Sequence, residues 1–117
     1  MIEEILKNFK KQNIDYTPFA HKVISNIFPE NFYQELIENL PSKEHYTPIN
    51  KTGRVSSNYP AERFIFELNN ETISKLNIKQ QKIFGEIIKI FINPTFFNVI
   101  ANEFNEVINK RIGEFSE

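Results

Sequence analysis

His21, His45 and Asp15 are the scarcest side chains in this sequence with the chemistry for proton transfer or metal binding: two histidines and one aspartate in 117 residues. A metal site would have to gather both histidines and add a glutamate. Neither histidine has a second ligand at i+2 or i+4, since Lys22-Val23 follows His21 and Tyr46-Thr47 follows His45. His21 lies in an alternating, strand-like stretch, where a histidine is usually a hydrogen-bonded structural residue. His45 lies in a loop and is expected to be exposed. The absence of cysteine excludes disulfides, thiolate zinc sites and a cysteine nucleophile.

The carboxylates offer no better centre. Glu3/Glu4 and Glu103/Glu106 fall on polar helix faces and are expected to be solvated. Helical glutamates three apart join di-metal sites only with Glu-x-x-His partners on neighbouring helices, and that tetrapeptide does not occur. Gly53, Gly85 and Gly113 are isolated, so no glycine-rich loop is present to cradle a phosphate. Gly85 interrupts a helical pattern at a cost of up to ~1 kcal/mol relative to Ala, which points to close helix packing. The run Arg54-Val55-Ser56-Ser57-Asn58-Tyr59 lacks a Gly-x-Ser-x-Gly context and a neighbouring His, so a nucleophilic serine is not expected. Its Arg and Tyr suit an anion, but a polar loop is the simpler reading. No catalytic, cofactor-binding or metal-ligating residue is assigned.

These side chains must be held by ordinary globular elements. Ile2, Ile5, Leu6 and Phe9 keep the spacing of a short amphipathic helix. Residues 19–25 alternate as a strand of edge or sheet-end character, with Phe19, His21, Val23 and Ser25 on one face and Ala20, Lys22 and Ile24 on the other. Pro29 opens a second helix with Phe32, Tyr33, Leu36, Ile37 and Leu40 as its buried stripe, and Leu40-Pro41 closes it. Residues 41–60 read as a long loop, with a short extended piece at 54–57. Residues 63–68 form a second strand. Ile73, Leu76, Ile83, Phe84, Ile87, Ile88 and Phe91 then keep helical spacing, with a break at Asn77. Asn93 caps and Pro94 starts a last helix, lined by Phe97, Ile100, Ala101, Phe104, Val107, Ile108 and Ile112.

The order of segments adds a resemblance. The run Pro18-Phe19-Ala20-His21-Lys22-Val23-Ile24-Ser25-Asn26-Ile27-Phe28-Pro29, followed by Tyr33, Leu36 and Leu40-Pro41, is similar to the opening of iron(II)/2-oxoglutarate-dependent oxygenases of the prolyl-hydroxylase-like kind. The resemblance covers 16–115 in element order and 18–41 in sequence. It implies a scaffold that buttresses a catalytic β-helix lying beyond this chain. In that family iron is held by a His-x-Asp and a distal His, beside an Arg or Lys for 2-oxoglutarate. None of these maps onto the sequence, so the resemblance implies iron(II) and 2-oxoglutarate only where a catalytic portion follows, and no cofactor in this chain.

The expected class is α+β: mostly helical, with four to five helices, a two- to three-stranded antiparallel sheet, and the C-terminal helix pair packed on it. Residues 1–117 are expected to be one domain, which the resemblance makes the N-terminal portion of a larger oxygenase fold. The alternative is a stand-alone structural or protein-interaction module. Fourteen Lys+Arg against fifteen Asp+Glu give a net charge of −1 and no positive field for nucleic acid. The lysine clusters at 7, 10 and 11, at 79 and 82, and Lys110-Arg111 read as solvated faces. Phe9, Phe32, Phe84, Phe91, Phe97 and Phe104 fall on expected core stripes, not on a base-stacking face. The longest strongly apolar stretch, 83–92, contains Gly85, Glu86 and Lys89 and is too short to cross a bilayer. The acidic start Met1-Ile2-Glu3-Glu4-Ile5 is unlike a signal peptide, so a cytoplasmic protein is expected. Self-association through an open sheet edge or a Phe-rich helix face is the expected partnership.

Overall fold

The computed structural model describes residues 1–115. Among them are six helices, α1 (Ile2–Lys11), α2 (Glu30–Glu38), α3 (Asn70–Ser74), α4 (Ile78–Phe91), α5 (Pro94–Glu103) and α6 (Asn105–Phe115). One small antiparallel sheet joins β1 (Thr47–Pro48) to β2 (Phe64–Ile65), with Thr47 opposite Ile65 and Pro48 opposite Phe64. The fold is therefore α+β and mainly helical. The helix number exceeds expectation because both C-terminal helices are broken: one between Ser74 and Ile78, as foreseen at Asn77, the other at Phe104. The chain divides into two compact units, residues 1–34 with the chain from Lys89 onward, and residues 35–88.

In the first unit, α1 is built on the Ile2, Ile5, Leu6, Phe9 stripe, with Glu3 and Glu4 in its first turn and Lys10 and Lys11 in its last. Those charges complement the helix dipole at both ends. Ile5 is completely buried with Ile90 and Phe96, and Ile2, Leu6, Ile27, Phe28 and Ile100 close around them. α5 packs on α1. It starts where expected: the Asn93 side chain accepts from Thr95 N–H at 2.8 Å and Pro94 takes the first turn. Its buried aromatic is Phe96 (7% exposed), not Phe97 (68% exposed). Phe96 meets Phe91 edge-on at 5.2 Å and Phe9 at 6.4 Å, and this aromatic cluster fixes the inward face of the helix.

The strand expected at 19–25 does not form. Asp15 and His21 exchange both backbone hydrogen bonds at 2.8 Å, so the chain doubles back within a few residues instead of running on as a ladder. Alternation alone does not make a strand without a partner of matching register.

In the second unit, Ile73, Leu76, Ile83, Phe84 and Ile87 are the buried apolar residues. Phe66, just after β2, lies 5.4 Å from Phe84 of α4 and 5.8 Å from Tyr46, which seats the ribbon on that helix. Asn69 caps α3 by accepting from Thr72 N–H at 2.8 Å. The 41–60 segment is less irregular than expected. It carries β1 and two 3₁₀ turns, Lys43–His45 and Ile49–Lys51, while the extended piece expected at 54–57 is not formed. α2 buries only Phe32 of its expected stripe; Tyr33, Ile37 and Leu40 stay exposed.

Candidate functional site

The most organised polar centre is Lys22, which the sequence presents as a polar intruder in a strand pattern. Its side chain is 2% exposed. The ammonium donates to the Phe9 carbonyl at 2.9 Å, pairs with a Glu103 carboxylate oxygen at 3.0 Å, and lies 4.3 Å from the centre of the Phe9 ring. Phe9 lies in the last turn of α1, where carbonyls have no partner within the helix. Lys22 therefore supplies both a hydrogen bond and a positive charge where the helix end is negative. Glu103 is no solvated glutamate: it holds the second side of this ammonium. The arrangement satisfies every strong demand of a buried lysine and leaves no group aimed at a substrate.

The histidines are also committed. His21 Nδ1 donates to the Phe19 carbonyl at 2.7 Å, and its Nε2 lies 3.7 Å from one Asp15 carboxylate oxygen. The other oxygen of Asp15 accepts from Thr17 N–H at 2.9 Å. This ties down a turn and gives His21 the structural role expected of it. His45, expected to be exposed, is half-buried, with Nε2 3.6 Å from Glu44. The two histidines belong to different units. Among the described residues no three His, Asp or Glu side chains gather as a metal site, and an iron of the oxygenase kind has no matching ligand set.

The Arg54–Tyr59 stretch is internally compensated. Arg54 pairs with Glu67 at 3.1 Å, and Arg63 donates to the Tyr59 hydroxyl at 2.7 Å. The Ser56 hydroxyl accepts from Asn58 N–H at 3.3 Å. A polar loop is what forms. Gly85, expected at a close helix contact, has open space where a Cβ would stand, so packing does not require it. In the first unit an open groove of about 730 Å³ is lined by Glu4, Ile24, Asn26, Phe28, Glu30 and Tyr33. Asn26 holds a left-handed backbone there, with φ of 54°.

What the sequence did not foretell is how much apolar surface stays open. Tyr33, Ile37 and Leu40 recur at helical spacing along α2 and its end, all exposed. Ile92 and Phe97 flank the start of α5, also exposed. On α6, Val107, Ile108 and Ile112 are 40%, 39% and 59% exposed. The signal that could have shown this is the count itself: six expected core phenylalanines and two full helical stripes exceed what two small units can enclose. Among the described residues no single helix is long and apolar enough to cross a membrane. No family model, no curated protein and no solved structure matches the chain.

Proposed function

We propose that this chain is a structural and protein-binding domain, whose open helix faces are covered by another protein surface. The observation that carries this reading is the set of exposed apolar stripes on α2 and α6, together with Phe97 on α5. Single exposed apolar side chains are ordinary, but residues repeating along one helix face mark a surface made for contact. The polar centres described above support the same reading, because each is closed by its own partners: Lys22 by Glu103, His21 by Asp15, and Arg54 by Glu67. A cysteine-free chain fits the reducing cytoplasm, which is the setting we assign to it.

The test is sedimentation of the purified chain, with binding of a hydrophobic fluorescent dye measured on the same sample. A species heavier than 13.9 kDa, or a monomer that binds dye, agrees with an interaction surface. A monodisperse monomer that binds no dye refutes it.

A second reading places this domain as the flanking scaffold of an iron(II)/2-oxoglutarate oxygenase. The sequence run from Pro18 to Pro41 is what favours it. Iron and 2-oxoglutarate would then be bound by a portion other than these residues. Reading the gene beyond the codon for Glu117 decides the matter. A continuing frame with a His-x-Asp, and later a His followed by Arg or Lys, supports that reading; an immediate stop codon removes it.

A further inference from the structure

We propose that the groove beside the start of α2 receives an arginine side chain, with its flanking residues, from a different protein. This rests on the preceding reading of the chain as a protein-binding domain, and it names the chemistry by which one partner is recognised. All the residues lining the groove belong to the first unit. Its volume of about 730 Å³ falls within the ~300–1,000 Å³ of ligand-binding clefts, ample for a side chain and its neighbours.

The groove is held in shape by the chain itself. The Asn8 amide donates to the Asn26 carbonyl at 3.3 Å and to the Ile27 carbonyl at 3.5 Å, which ties that wall to α1. Phe28, on the same wall, meets Phe32 edge-on at 5.5 Å and Phe91 at 6.5 Å. Its ring is thereby committed, whereas Tyr33 is 51% exposed and has its ring available to an occupant. A groove already formed spares its ligand the cost of ordering it.

Charge identifies the occupant. Glu4 and Glu30 line the groove, and no Lys, Arg or His does. Among the described residues neither carboxylate is engaged in an ion pair. The lysines that share α1 with Glu4, namely Lys7, Lys10 and Lys11, line a separate groove. Each glutamate stands in the first turn of its helix, where the helix end offsets about half a charge. Two carboxylates against two such ends leave about one negative charge, the complement of one cation. A metal ion suits the groove poorly, because no three His, Asp or Glu gather among the described residues. A cation on an apolar stem matches the Ile24 and Ile27 that line the groove as well as the carboxylates. Arginine meets every demand, since its fork matches a carboxylate and its plane stacks on a ring such as Tyr33. A second copy of this chain has no arginine to spare: Arg54 pairs with Glu67, Arg63 with the Tyr59 hydroxyl and Arg111 with Glu114.

The test is a nuclear magnetic resonance titration of the ¹⁵N-labelled full chain. The probe is a capped five-residue peptide, Leu-Ala-Arg-Ala-Leu, taken to about 10 mM to cover weak binding. Saturable shifts are expected at the amides of residues 24–33, excepting Pro29, with a Kd of about 1 mM that weakens with added salt. The same peptide with citrulline, the neutral isostere of arginine, is expected to bind roughly 10-fold more weakly, as is the arginine peptide to Glu4→Gln/Glu30→Gln. The citrulline comparison uses the unaltered chain, so it decides the matter even if that variant fails to fold. No saturable shift at 24–33, or equal binding of the two peptides, overturns the proposal. So does arginine amide binding as tightly as the peptide, since the occupant would then be a small free cation. Shifts at 24–33 that appear when the chain alone is concentrated also overturn it, by placing a second copy in the groove. If the proposal falls while the chain still binds the hydrophobic dye, the protein-binding reading survives; a monomer that binds neither dye nor peptide removes both.

Discussion

Replacing Lys22 by Met keeps the length of the buried side chain and removes its charge. Three interactions go with it: the hydrogen bond to the Phe9 carbonyl, the ion pair with Glu103, and the approach to the Phe9 ring. A hydrogen bond made by a charged group contributes about 1.5–3 kcal/mol, and removing it here uncovers a carbonyl in the last turn of α1. Breaking a fully buried pair costs about 3–5 kcal/mol. Glu103, however, is about one third exposed and recovers part of its hydration, which lowers that cost. The expected loss is about 3 kcal/mol, read from urea denaturation. In a chain of this size it corresponds to a fall in melting temperature of roughly 10 °C. Lys22→Met/Glu103→Met is expected to lose less than Lys22→Met alone, since an apolar pair leaves no orphaned carboxylate. A loss below about 0.5 kcal/mol for Lys22→Met, the level of an ordinary surface change, would refute the claim that this ammonium holds the end of α1.

Three further outcomes follow from local geometry. Phe96→Ala is expected to cost about 3–4 kcal/mol and Phe97→Ala under about 0.5 kcal/mol in the same denaturation assay; equal costs would contradict the inward face assigned to α5. Gly85→Ala is expected to raise stability by about 0.5–1 kcal/mol, visible as a higher melting temperature, because a methyl group there meets no other atom. Asn93→Ala is expected to cost about 1 kcal/mol through loss of the cap on Thr95, with Asn93→Asp near neutral when the two are compared by thermal melting.

The local signals in the sequence were reliable where one helix decides its own fate. The Ile2–Phe9 stripe, the Asn93-Pro94 start and the break before Ile78 all depend on contacts within a few residues, and all are present. The readings that failed needed a partner distant in sequence. Residues 19–25 alternate convincingly, yet the backbone groups of His21 are taken by Asp15. Phe96 and Phe97 are adjacent and chemically identical, so only the position of α1 and Phe91 decides which is enclosed. Lys22 and Glu103 each look like a surface charge; their meeting at 3.0 Å depends on tertiary placement that no local pattern encodes. Of the strand read at 63–68 from its aromatic and β-branched residues, only Phe64–Ile65 pair. Its partner at 47–48 contains a proline and has no strand propensity to announce it.

One consequence of α4 concerns which length changes the gene can accept. Ile83, Phe84 and Ile87 are buried along α4, all within the second unit. An inserted residue between Phe84 and Gly85 would turn Ile87 by about 100° relative to Ile83 and Phe84. Ile87 would then leave the buried side of the helix while Ile83 and Phe84 stayed on it. Insertions and deletions should therefore be purged from α4 and tolerated in the exposed turn around Gly53, so that any homologues are expected to differ in length there and to keep α4 at constant length.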